Sequence, residues 1–260
     1  MIDIRKMLWK GRGISMEKSD IYQEILKSLK ESKKYRIVFI GDSITSGEWV
    51  QPNWRNIFEY ILKFSFTEFD GDDWWIPEWN LKFYNYSLDG ASSREFLDCV
   101  KLAMKEVDAD LYIIMGTAND VELGIPLEEH IANIAEIFRM VGEQGKRIIF
   151  SPDIYSGNYD LNMKYLPFVQ AVMDIPSQEG VKVFNGYDLF SKFELSNFYT
   201  LEFGERDNLL GESKIDPVHP NALGNAYIAK MFLEEGFGIE VDPDLYITDL
   251  RSDTVKYPRW

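Results

Sequence analysis

The sequence is poor in several things, and each shortage excludes a class of function. It contains one cysteine, Cys99, which rules out an internal disulfide framework and a cysteine-based zinc site. Within REFLDCVKLAM that thiol reads as a buried structural side chain. It contains two histidines, His130 and His219, with no second histidine at ligand spacing from either, so no metal is expected. Positive charge is scarce: 28 Lys and Arg stand against 43 Asp and Glu, a net charge of −15. Such a field repels nucleic acid and anionic lipid. The densest basic stretch, LKSLKESKKYR, reads as the solvated face of a helix. Long apolar runs are missing too. MIDIRKMLWKGRGISMEKSD holds no segment of signal-peptide length, and nothing later reaches membrane-spanning length. A cytoplasmic protein with no nucleic-acid partner and no stable membrane insertion is the expectation.

What is present is enough apolar material, 45% of 260 residues, to bury one large core. No repeat, low-complexity stretch or Pro/Gly/Ser linker divides the chain. Buried-strand runs at Arg36–Ile40, Leu81–Tyr86, Leu111–Met115, Arg147–Phe150 and Val181–Phe184 are β-branched or aromatic and nearly uninterrupted. That suits parallel strands covered on both faces. Helical patterns precede and separate them, at Asp20–Glu31, Trp54–Phe64, Ser93–Val107, Leu127–Val141, Asn162–Met173 and Ala222–Glu235. Strand and helix alternating five times predicts a doubly wound α/β sandwich. We expect a single domain over 1–260. It would carry a helical N-terminal extension (about 1–34), an aromatic insertion (about 67–80) and a C-terminal tail (about 237–260). The aromatic tail could wrap the domain or meet a second subunit, so a homo-oligomer is compatible with the sequence.

In doubly wound sheets ligands bind at the carboxyl ends of the strands, which directs attention to YRIVFIGDSITSGEWV. The first strand stops abruptly in Gly41-Asp42-Ser43-Ile44-Thr45-Ser46-Gly47. A phosphate-binding P-loop needs four residues between its glycines and then a lysine. GDSITSGE has five and a glutamate, and adds its own acid at Asp42. A flavin-phosphate loop of flavodoxin type stays open, because Ser, Thr and Gly suit it. The G-x-S-x-G elbow is absent. A nucleophilic Ser43 would therefore need a base, an orienting acid and oxyanion donors from elsewhere.

His130, in PLEEHIANIAEIF, lies beside two glutamates on an amphipathic helix and reads as solvated or half-buried. His219, in KIDPVHPNALGNAYIAKMF, follows Asp216 by three residues. A carboxylate there can hold Nδ1–H and leave Nε2 to take a serine proton. Asp-x-x-His alone is weak evidence. After the second strand NYSLDGASSRE places Gly90, either a turn glycine or a backbone donor. After the third, IIMGTANDVELG places Asn119, either a helix cap or a neutral amide donor for an oxyanion.

Taken together these stretches resemble the SGNH (GDSL-type) hydrolase superfamily. FIGDSITSG is similar to the nucleophile block with Ser43 as catalytic serine, and NYSLDGASS to the second block with Gly90. MGTAND is similar to the third with Asn119, and DPVHPNALGNAYIA to the fifth with Asp216 and His219. The blocks keep family order from about Ile37 to Ala229. The resemblance implies a flavodoxin-like three-layer α/β/α fold with a five-stranded parallel sheet. It also implies cofactor- and metal-independent ester hydrolysis through an acyl-serine. Ser43, Asp216 and His219 would act as catalytic residues, with oxyanion donors from Ser43, Gly90 and Asn119 and Asp42 in support. Two features depart from the pattern. Gly116 and Asn119 are separated by two residues rather than one, and FTEFDGDDWWIPEWN precedes the second strand.

The family includes lipases, thioesterases and carbohydrate O-acetylesterases. Trp74, Trp75 and Trp79 in the insertion, and Trp49 and Trp54 after the nucleophile, could stack on sugars or acyl chains or could pack the core. A small acyl ester of a glycan or other soluble small molecule is the preferred substrate. A lipase or thioesterase, or a non-catalytic flavodoxin-like binding module, is the alternative.

Overall fold

The structure, a computed structural model, describes residues 17–66, 76–116, 118–201 and 215–244. The segment containing Trp74 and Trp75, most of the N-terminal extension before Asp20 and most of the C-terminal tail lie outside the described residues. In chain order the elements are α1 (Asp20–Lys30), β1 (Tyr35–Gly41), α2 (Ser43–Ser46), α3 (Trp54–Ser65), β2 (Leu81–Asn85), α4 (Ser93–Glu106), β3 (Leu111–Met115) and α5 (Ala118–Glu122). There follow α6 (Leu127–Glu143), β4 (Arg147–Ser151), α7 (Tyr159–Met173), β5 (Val181–Val183), α8 (Gly186–Ser191) and α9 (Ala222–Phe237).

The five strands are all parallel in the order β2-β1-β3-β4-β5. Side chains alternate across a strand, so Ile37 and Phe39 enter one core while Val38 and Ile40 enter the other. The first core is closed by α1, α3 and α9, the second by α4 and α6. This gives the three-layer α/β arrangement that alternating strands and helices predicted. Trp54 is a core residue, fully buried and stacked on Phe232 at 4.7 Å. Its backbone N–H donates to the buried Asn225 Oδ1, tying the start of α3 to α9.

The boundaries differ from the sequence reading where side chains cap helices. α7 begins at Tyr159 rather than Asn162, because Asn158 Oδ1 accepts from the N–H groups of Asp160 and Leu161. The short helices α2, α5 and α8 span less than two turns, too few residues to show a helical period. Among the described residues no helix is long and apolar enough to cross a membrane.

The chain leaves β1 toward β2 on one side and continues from β3 to β5 on the other. Strand order therefore reverses between β1 and β3, where a doubly wound sheet opens its crevice. Gly41 and Met115 are register partners at that point.

Candidate functional site

β1 delivers Ser43 to the crevice through a tight strand-to-helix turn. A Cβ on Gly41 would lie 2.4 Å from Thr45 Oγ1 and 2.7 Å from Met115 O, so only glycine fits the last position of the strand. Asp42 caps α2, its carboxylate accepting from Ile44 N–H at 3.0 Å. Ser43 is then the first residue of the helical turn, where backbone N–H groups have no partner within the helix.

The loop before α9 supplies the partner. Asp216 Oδ1 accepts from the backbone N–H groups of Val218 (2.8 Å) and His219 (3.0 Å), which folds Asp-Pro-Val-His into a closed turn. Its Oδ2 lies 2.7 Å from His219 Nδ1, and His219 Nε2 lies 2.8 Å from Ser43 Oγ. Burial works to raise the Asp216 carboxyl. The hydrogen bonds from His219 and from the two backbone N–H groups outweigh it and hold the group below the ordinary aspartate value. An ionised Asp216 assigns the proton to Nδ1 and leaves Nε2 as acceptor for the serine hydroxyl.

Gly90 adopts a left-handed conformation (φ 69°) on the exposed loop after β2. That loop is tied to the nucleophile turn through Asp89, which accepts from Ser46 Oγ at 2.5 Å and from Trp49 Nε1 at 2.9 Å. Asn119 lines the same pocket as Ser43. One of its amide N–H groups donates to Ala91 O at 3.0 Å, and the second has no partner among the described residues. The extra residue between Gly116 and Asn119 does not carry the amide out of the pocket. Gly116 takes φ 133°, and a Cβ there would approach Phe96 to 2.8 Å. Beyond Asn119, Asp120 Oδ1 accepts from Ser93 N–H at 2.6 Å, pinning α5 to α4.

Two neighbours of this group escaped the sequence reading. His130 is fully buried, not solvated or half-buried. Its Nδ1 lies 2.8 Å from Asp120 Oδ2, and its ring meets the edge of Phe168. The signal was available, since His130 shares a helix face with Ile134, Ile137 and Val141. Asp153, just after β4, is also buried and lines the pocket with Asp42 and Ser43. Its position at the carboxyl end of a fourth strand was the available sign.

Burial pushes the Asp153 carboxyl up to about 7. Burial, then the charge of Asp153, pushes Asp42 well above the usual aspartate range. A carboxyl whose value rises on folding stabilises the fold below its unfolded value, near 4, and loses that contribution as pH climbs through 7. Asparagine mimics the protonated acid. Asp153→Asn should therefore match the wild type in stability near pH 4 and exceed it increasingly up to pH 8, by at most ~4 kcal/mol, with Tm following the same trend. Thermal scans across that range check this, and a Tm difference independent of pH would contradict it.

The tryptophans divide. Trp49 stacks on the His219 ring with centroids 4.3 Å apart and planes 7° from parallel, and remains 52% exposed. Trp79 is exposed as well, but it sits in the turn leading into β2, where Asn80 Nδ2 donates to Ser32 O. That is the amino-terminal edge of a parallel sheet. The seven residues of β1, ~20 Å of extended chain, run from there to the Ser43 turn. The structure does not bring Trp79 to the other candidate residues.

No curated protein is recognisably similar to the chain in sequence. Solved structures share its fold. A lipase/acylhydrolase from Enterococcus faecalis superposes with TM-score 0.56 at 18% identity, over 77% of this chain and 94% of that one. A variant of an acetyl xylan esterase from Geobacillus stearothermophilus gives TM-score 0.57 at 19% identity, over 81% and 98%. An α/β hydrolase from the metagenome of Lake Arreo, Spain, gives 0.59 at 17%, over 78% and 95%. The profile of the GDSL-like Lipase/Acylhydrolase family matches residues 39–227, well over half of the sequence and the whole span from the Ser43 turn into α9. The chain belongs to the GDSL-like lipase/acylhydrolase family of ester-hydrolysing serine enzymes.

Proposed function

We propose that the protein hydrolyses a short-chain, acetyl-type carboxylic ester of a carbohydrate or other soluble alcohol, with Ser43 as nucleophile. The observation that carries the reading is the unbroken hydrogen-bonded chain Ser43–His219–Asp216 at the carboxyl end of β1. His219 Nε2 takes the hydroxyl proton as Ser43 Oγ bonds to the ester carbonyl carbon. The oxyanion is met by the backbone N–H groups of Ser43 and Gly90 and by the free N–H of the Asn119 amide. Asp216 stabilises the imidazolium, which then gives its proton to the departing alcohol. Water, deprotonated by His219, attacks the acyl-serine, releases the acid and restores Ser43.

Two features support a small acyl group and a soluble alcohol. The pocket beside Ser43 is lined by Ile44, Ile154, Tyr165 and Val218 together with the polar Asp42, Asp153 and Ser156, which suits a short acyl group rather than a fatty chain. Trp49 covers His219, the group that hands the proton to the alcohol, and its exposed indole suits a sugar ring on the leaving side. An acetylated-sugar substrate is also of the class that the Geobacillus fold neighbour is named for. The test compares kcat/KM for acetyl, butanoyl and octanoyl esters of one alcohol. Acetyl is expected to lead octanoyl by about tenfold or more, as each surplus methylene in a closed pocket costs ~1 kcal/mol or more. A clear lead for octanoyl would overturn the proposal in favour of a lipase-type substrate.

A further inference from the structure

The pocket next to Ser43 contains a group that the mechanism above does not use. Asp153 is 4% exposed and comes directly after Pro152 at the end of β4. One carboxyl oxygen, Oδ2, is occupied by the backbone N–H of Ala118. The other, Oδ1, is buried and has no hydrogen-bond partner among the described residues. Leaving a buried carboxyl oxygen unpaired is costly, and no lysine, arginine or histidine lines this pocket to compensate it.

The direction of the pocket follows from its walls. It is lined by Ser43 and Asn119, the attacking atom and an oxyanion donor, but not by His219. The leaving alcohol must depart on the His219 side, because that ring protonates it. His219 itself is not among the pocket's walls, although its neighbour Val218 is, and we assign the acyl part of the ester to this pocket. Besides Ser43 and Asn119, its polar walls are Asp42, Asp153, Ser156 and Tyr165, and its apolar ones Ile44, Ala118, Ile154 and Val218. Ser156 is committed elsewhere: its Oγ donates to Asn158 O and its N–H to Asn162 Oδ1. Asp42 spends one oxygen on Ile44 N–H. Among the polar walls, Asp153 Oδ1 is the buried side-chain atom with no hydrogen-bond partner among the described residues.

We propose that Asp153 is a specificity-determining residue that selects short acyl groups carrying a hydrogen-bond donor, a hydroxyl or an ammonium, on the carbon next to the carbonyl. The inference rests on the reading of Ser43 as nucleophile. An unsubstituted alkyl chain of the same size leaves Asp153 Oδ1 unpaired, whereas a hydroxyl or ammonium satisfies it. Sites built to pair a substrate donor discriminate against the analogue lacking it much more strongly than apolar pockets discriminate by size.

The test uses the intact protein and three phenyl esters of matched size: propanoate, hydroxyacetate and aminoacetate. Each kcat/KM is divided by the hydroxide-catalysed rate of the same ester, which removes intrinsic reactivity. We expect at least one donor-bearing ester to exceed propanoate by about tenfold or more. Preference for hydroxyacetate alone identifies a hydroxyl, and preference for aminoacetate alone an ammonium; both support the proposal. In Asp153→Leu the same ratio should fall to unity or below. In Asp153→Asn the amide oxygen can keep the Ala118 N–H and the amide NH2 takes the place of Oδ1, so an ammonium preference should be lost, whereas a hydroxyl, which can also accept, should keep part of its preference. Propanoate equal to or above both donor esters in the wild type would overturn the inference, whether or not the variants fold. An unchanged ratio in a folded Asp153→Leu would overturn it as well. Turnover of propanoate without any donor preference removes only this inference. No turnover of any ester, with Ser43 inert to a fluorophosphonate, removes the nucleophile reading and this inference together.

Discussion

Ser43→Ala should lower kcat on any ester that the wild type turns over by about 10⁴-fold or more, while leaving the fold and thermal stability nearly unchanged. The side chain is small and half-exposed at the start of α2, and among the described residues its hydroxyl bonds only to His219 Nε2, so its removal leaves no large cavity. His219→Ala should be comparably severe. It removes the proton acceptor at 2.8 Å from Ser43 Oγ and leaves Asp216 Oδ2 without its donor. The double variant should be hardly worse than either single one, because groups that act as a unit do not lose rate additively. Steady-state kinetics on acetyl esters, with circular dichroism as the folding control, check all three. Losses below tenfold would place the chemistry elsewhere.

The second large effect is on stability and lies outside the pocket. Asp120 and His130 are both fully buried, joined at 2.8 Å, and Asp120 also receives Ser93 N–H. The contact ties α4, α5 and α6 together immediately after Asn119. His130→Ala leaves a buried carboxylate oxygen without its donor and opens a cavity against Phe168. Breaking a buried pair from one side costs roughly 3–5 kcal/mol, about 6–20 °C in Tm for a chain of this size. Asparagine can place an amide N–H close to where Nδ1 stands, so His130→Asn should recover part of the loss. The loss in Ala should also reach kcat, because α5 carries the Asn119 amide. Differential scanning of His130→Ala and His130→Asn checks it. An Ala variant within 1 °C of wild type would show that the pair contributes nothing.

What could be read from the sequence and what could not follow from the range of the forces involved. The strands were legible because burial on both faces leaves uninterrupted β-branched and aromatic runs, as in Ile37–Ile40 and Leu111–Met115. Residues just after those runs, Ser43 and Asn119, were legible as pocket residues because a parallel sheet gathers its strand ends on one edge. The same rule read in reverse places Trp79, just before β2, on the opposite edge, and attention to aromatic content alone hid this. His130 was misread because its two glutamate neighbours outweighed its spacing to Ile134 and Ile137. The stacking of Trp49 on His219 joins residues 170 positions apart, and nothing local encodes it. Asp153 looks like an ordinary turn residue in Ser-Pro-Asp until Ala118 and Asp42 are packed against it.

The most direct test of the account is peptide mass spectrometry of the intact protein after treatment with a fluorophosphonate, alongside His219→Ala. The phosphorus reagent forms a bond only with a serine oxygen that a neighbouring base has activated. The account predicts one adduct, on Ser43, that disappears in His219→Ala. A folded wild-type protein that carries no adduct, or carries it on another serine, would contradict the assignment of Ser43, His219 and Asp216.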